Sequence, residues 1–212
     1  MSTPEVRFKF PWLLLKTFDF ALRPALEKEG AADLLDKEFI LERLERHETA
    51  WRPYEQKVLE GMCSIFELEF RQNIIDMYVA PLKTSFSDPM MISTRYKPEQ
   101  VVGVIAHELM HRLLTDNTLY DDRHLVSHWS ELFGTEHTQV ALVHIPIHAG
   151  LKMLYIDILN EPERLREDIE RCQRFEPYRQ AWDYVEAEGY QEIIARLKSS
   201  YATLQERQGE LA

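Results

Sequence analysis

The 212-residue chain predicts an α+β fold in which helices predominate around a small sheet. Three observations carry this. Long stretches at both ends repeat apolar residues every three to four positions, the period of a helix with one buried face. Two short runs between residues 70 and 95 alternate with the period of a strand instead. Only 7 glycines among 45% hydrophobic residues describe a chain built to pack. No internal repeat or low-complexity linker divides it. The expectation is a single domain over 1–212, with N-terminal helices over 1–69, a core over 70–160 and C-terminal helices over 161–212.

The elements follow in order. Residues 11–28 mix apolar and charged positions and read as helix. In "DLLDKEFILERLERH", residues 33–47, Leu34, Leu35, Ile40, Leu41 and Leu44 share one broad face, with Asp33 as N-cap. A third helix over 53–68 starts at Pro53, a favoured first-turn residue. The period then changes. In "FRQNIIDMYVAP", Ile75, Met77 and Val79 alternate with Asp76 and Tyr78, and Pro81 ends the strand. "PMMISTRY" alternates again, Met90, Ile92 and Thr94 against Met91, Ser93 and Arg95, with turn-like "KTSFSD" between the two runs. Pro98 and Glu99 open the next helix. A loop leads to the apolar run from Val140 to Leu159, where Pro146 and Gly150 predict a kinked or irregular helix. Amphipathic helices follow, split near Glu176-Pro177 and Gly189.

Charge and cysteine content narrow the function. A net charge of −11 argues against nucleic acid as a partner, because phosphate binding needs clustered Lys and Arg. Cys63 and Cys172 provide neither a disulfide framework nor a CxxC knuckle, which suits a reducing compartment. The apolar stretch "FPWLLL" is short and lacks a small-residue cleavage site, so the N-terminus does not read as a signal peptide. No run approaches the roughly eighteen apolar residues of a membrane span. The expectation is a soluble cytoplasmic protein without membrane or nucleic-acid partners. Trp12, Trp51, Trp129 and Trp182 are scattered and read as packing residues.

The stretch that carries chemistry is "VVGVIAHELMHRLLTDN", residues 101–117. Residues four apart share a helix face, so His107 and His111 can offer two imidazole nitrogens to one ion. Glu108 is rotated by about 100° and can reach a water on that ion, as a general base would. The flanking Val101, Val102, Val104, Ile105, Leu109, Leu113 and Leu114 describe a mostly buried helix, where an unengaged histidine pair would be costly. Seven of the 8 histidines fall between 107 and 148. The plainer alternative is an exposed helix face whose histidines merely bond their neighbours.

The metzincin form HExxHxxGxxH is absent, because Leu114 and Asn117 stand where Gly and His would be. The sequence instead resembles the gluzincin branch of zinc peptidases, the thermolysin-like and minimal-gluzincin enzymes, over roughly residues 70–160. The resemblance implies a zincin-like core: a small sheet, an HExxH active-site helix and a following glutamate helix, here flanked by extra helices. It implies a Zn2+ cofactor, a peptide or protein substrate, His107 and His111 as metal ligands, and Glu108 as catalytic base. It also implies a downstream glutamate as third ligand. Glu131 has the usual interval, whereas Glu136 follows Gly134-Thr135 and would open the next helix if Thr135 caps it; Glu136 is preferred. Neither has an acidic residue four positions on, so Gln139 is the candidate to orient a histidine.

His137, Ala141, His144 and His148 form one stripe along the helix after Glu136. By the same resemblance His144 would stabilise the oxyanion, with His148, Tyr155 and Tyr120 as alternatives. "MMISTRY" would be the edge strand that pairs with substrate backbone. A zincin-fold protein that binds metal and a protein partner without turnover is the alternative function, and a helical interaction protein with a chance motif is the third.

Overall fold

Apolar and charged residues alternate from Val6 to Phe10, and the chain accordingly opens as a strand, β1 (Glu5–Lys9), where only helices were expected. This computed structural model describes residues 3–117, 122–134 and 136–211. β1 runs parallel to β2 (Ile74–Ala80), pairing Val6 with Ile75 and Phe8 with Met77. That contact spans almost seventy positions, so the alternation marks a strand but not its partner. The outer edge of β1 is closed by side chains. Val6 N–H donates to Glu55 Oε1 at 2.9 Å, and Arg52 Nη1 donates to the Val6 carbonyl at 3.0 Å. An Arg–Glu pair thus takes the hydrogen bonds that a further strand would make.

β3 (Phe86–Ser87) and β4 (Met90–Ser93) complete a mixed sheet of order β1-β2-β4-β3. β4 is parallel to β2, Tyr78 opposite Met91 and Ala80 opposite Ser93, and antiparallel to β3. "MMISTRY" is therefore not the edge. The turn-like "KTSFSD" contains β3, which pairs with the edge that β4 would otherwise leave open. Ser85 Oγ also accepts from Ser93 N–H at 3.2 Å.

The helices before the sheet differ from expectation in their starts. α1 spans Leu15–Lys28 and packs Leu26 with Leu34 and Leu35, beside Phe18, Leu22 and Phe39. Asp33 does not cap the next helix. It lies in a 3-10 turn, Ala32–Leu35, and the extended backbone at Asp36 separates this turn from α2 (Lys37–Trp51). α2 buries Ile40, His47 and Trp51. α3 (Glu55–Phe66) begins two residues after Pro53. α4 (Pro98–Asp116) opens at Pro98 as its sequence predicts.

The chain forms two compact units, one of Thr3–Gln56 and Gln72–Leu109, the other chiefly of Lys57–Arg71 and Met110–Ala212. The first holds the sheet, with Val6, Ile75, Met77, Val79 and Ile92 in its core. α4 runs through the division without a break, between Leu109 and Met110.

The second unit is helical: α5 (Asp122–Phe133), α6 (Gln139–Met153), α7 (Pro162–Cys172), α8 (Glu176–Glu188) and α9 (Tyr190–Leu211). α6 is its central element and packs on α5, α8 and α9. Thr138 caps α6, its side chain accepting from Ala141 N–H at 3.2 Å, so the helix begins after Glu136 and not at it. The expected irregularity falls beyond Gly150, as a π-helical turn over Leu154–Leu159, and Pro146 is accommodated within α6. A Cβ at Gly150 would stand 2.6 Å from Phe66 Cζ and 3.0 Å from Met110 Sδ. The glycine is what lets α6 approach these side chains. Gln139–Leu159 is long and apolar enough to cross a membrane, which the sequence reading did not anticipate, but 67% of its window is buried inside the protein. Of the four indoles, Trp51, Trp129 and Trp182 are buried, whereas Trp12 is exposed.

Candidate metal centre

Helical spacing and one close helix pairing build the site. On α4, His107 and His111 are one turn apart on a helix whose neighbours Ile105, Ala106, Leu109 and Met110 are wholly buried. His111 meets His144 of α6 within the helical unit, ring edge against ring face, at 5.0 Å between centroids. His107 is held to His111 by a single unbroken turn. Ligand nitrogens of His107, His111 and His144 all lie within 4.8 Å of one another. Three imidazoles at that separation can close on one ion with small side-chain adjustments.

Protonation and orientation suit that use. Burial, with the neighbouring His144, pulls the His111 pKa down to about 3, and burial pulls that of His144 down to about 4. Both rings are therefore neutral near pH 7, the form that binds metal. His144 Nδ1 lies 2.7 Å from the Val140 carbonyl, to which it donates, and this leaves Nε2 as the ligating atom. Glu108 is buried beside the first histidine, and desolvation raises its carboxyl to about 8.

Tertiary packing brings in His148, an alternative in the sequence reading, together with Tyr178 and Trp182, which that reading did not assign to the site. His148 is fully buried and stacks on Trp182 at 4.3 Å and 11°. Tyr178 lies 4.1 Å from His144 and presents an edge-to-face contact to His148 at 5.8 Å. The signal was available: Tyr178 and Trp182 repeat on α8 with the same four-residue spacing as His144 and His148 on α6. Nothing in one segment alone, however, says that it faces the other.

The predicted site residues thus separate. His107, His111 and His144 come together; Glu136 does not join them. Glu136 is exposed in the bend before α6, with its carboxylate 3.5 Å from His137. The later start of α6 is the reason, since Glu136 falls outside the helix that was to aim it. Glu131 is exposed on α5, and Gln139 is exposed in the first turn of α6. The Val140 carbonyl orients His144. Tyr155 is buried in the π-helical turn, where desolvation raises its pKa further. Tyr120 and the proposed cap Thr135 lie outside the described residues. No protein-family model, curated protein or solved structure matches the chain.

Proposed function

We propose that the protein is a zinc-dependent hydrolase of peptide bonds with a zincin-like core, in which His107, His111 and His144 hold the ion and Glu108 is the general base. The observation that carries this reading is the convergence of three imidazole nitrogens within 4.8 Å, two of them from an HExxH helix. His144 thereby takes the position that the gluzincin resemblance assigned to Glu136, and the donor set becomes three histidines. Such a set suits zinc and leaves a coordination position open.

A zinc ion bound there would activate water and polarise a carbonyl oxygen. The chain's own residues have distinct parts. His107 and His111 point from one face of α4, and the Val140 carbonyl holds the third ring in the tautomer that exposes Nε2. Glu108, about 100° around the helix from His107, would be ionised by the charge of a bound ion, and its carboxylate would then take a proton from water and return it to the leaving amine.

Metal analysis of the purified protein tests the first half of this reading. About one zinc per chain is expected, lost when His107 and His111 are both replaced by Ala. Full occupancy in that double variant refutes it. Glu108→Gln tests the second half: it should retain zinc and lose at least about 100-fold in peptide hydrolysis. Unchanged turnover in this variant rules out the base.

A second reading has its own observation. His107, Glu108 and His144 are each at most 9% exposed, so substrate access to the ion is restricted. That burial favours a metal-binding protein without turnover, acting as a protein-interaction or regulatory module. Zinc binding combined with no cleavage across a broad peptide library would select it.

A further inference from the structure

α6 and α8 each carry two rings one turn apart, and the two pairs face each other. His144 and His148 belong to α6, Tyr178 and Trp182 to α8. Trp182 stacks flat on His148, while Tyr178 lies against His144 at a tilt of 38° and turns an edge to His148. His144 and His148 are themselves 5.7 Å apart. The four rings form one layer, and its outer member on the α4 side is the His144 imidazole that meets His111.

We propose that Tyr178 and Trp182 are positioning residues for the metal centre, a ring clamp that holds His144 in its ligating orientation. The inference rests on His144 being a metal ligand and says what keeps it one. The bond from Nδ1 to the Val140 carbonyl fixes one point of the ring, about which the plane could pivot but for the rings packed around it. Tyr178, 4.1 Å from the ring, blocks that pivot on one side. Trp182 acts one turn further along, fixing His148 so that it in turn backs Tyr178 and His144. Without the clamp the ordering of His144 would fall on metal binding itself, and affinity would drop by the corresponding entropy. The ring faces do this work, so the Tyr178 hydroxyl is dispensable.

Co2+ serves as probe, because its visible absorption reports coordination geometry as well as occupancy. Tyr178→Leu and Trp182→Leu keep an apolar side chain but remove the flat face along with some volume. Each should raise the Co2+ Kd by about 10- to 100-fold and weaken the tetrahedral absorption. Tyr178→Phe and Trp182→Phe retain a ring and should stay close to the parent protein in both measurements. Trp129→Phe, at a buried indole on α5, controls for stability: it should lower Tm without moving the Kd. Parent-like Kd and spectrum in both leucine variants overturn the clamp, as does a Tyr178→Phe loss equal to that of Tyr178→Leu. Absence of Co2+ and Zn2+ binding by the parent protein is a different failure, because it removes the metal reading itself.

Discussion

At the scale of single residues, burial decides which side chains are available for chemistry. His144 is buried with one nitrogen committed to Val140, whereas Glu136 is exposed and beside His137. His144→Ala should therefore weaken zinc by orders of magnitude in a chelator-competition titration, and Glu136→Ala should leave affinity within about threefold. The opposite order would return the third ligand to Glu136. His47 illustrates burial without a proposed function. Desolvation within α2 holds its pKa near 4, partly offset by the Ser93 backbone. An unfolded histidine titrates near 6.5, so between these values the unfolded chain binds a proton that the folded chain excludes. Stability from this group is full above about pH 6.5 and falls as pH drops towards 4, by about 2 kcal/mol at pH 5. Urea unfolding at pH 7 and pH 5 checks this. The difference between the two pH values should shrink by about that amount in His47→Gln.

At the scale of elements, α4 and α6 owe their meeting to small features at particular positions. α4 has apolar residues on nearly every side; His107 is buried among them and His111 is half-buried. α6 approaches Phe66 and Met110 because position 150 lacks a Cβ. Gly150→Ala should cost about 1–3 kcal/mol in chemical denaturation, through overpacking against Phe66. In a double-mutant cycle, Phe66→Leu should relieve part of that cost; strict additivity would show that Phe66 is not the obstacle. The first turn of α6 depends on Thr138, which leaves Glu136 ahead of the helix that was expected to open at it. Thr135 was the expected cap; with Thr138 in that role, three residues further on, Glu136 falls in the bend before the helix. Cap choice depends on the packing of the whole helix, which no four-residue window contains.

At the scale of the whole molecule, a bound ion would stabilise the fold by mass action. Free zinc at about 100 times its Kd should add about 2.7 kcal/mol, raising Tm by about 5–10 °C for a protein of this size. Thermal scans with zinc and with chelator check this, and the rise should vanish in the His107→Ala, His111→Ala double variant. Much of the architecture was legible beforehand. α4 begins at Pro98, β2 and β4 follow their alternation, and the breaks at Glu176-Pro177 and Gly189 fall where Pro and Gly interrupt the helical period. Those features are encoded within a turn or two of chain, by side-chain spacing and backbone restriction. The HExxH pair was legible for the same reason, as i and i+4 on any helix share a face. Contacts between distant segments were not. The alternation from Val6 to Phe10 was in the sequence, but the pairing of β1 with β2 was not, and β4 is interior because β3 folds back beside it. The sequence by itself determined a helical α+β chain with two histidines ready on one helix. Only the tertiary structure decided that His144 joins them, because a residue 33 positions further along becomes a neighbour through the packing of α6, and local periodicity carries no record of that distance.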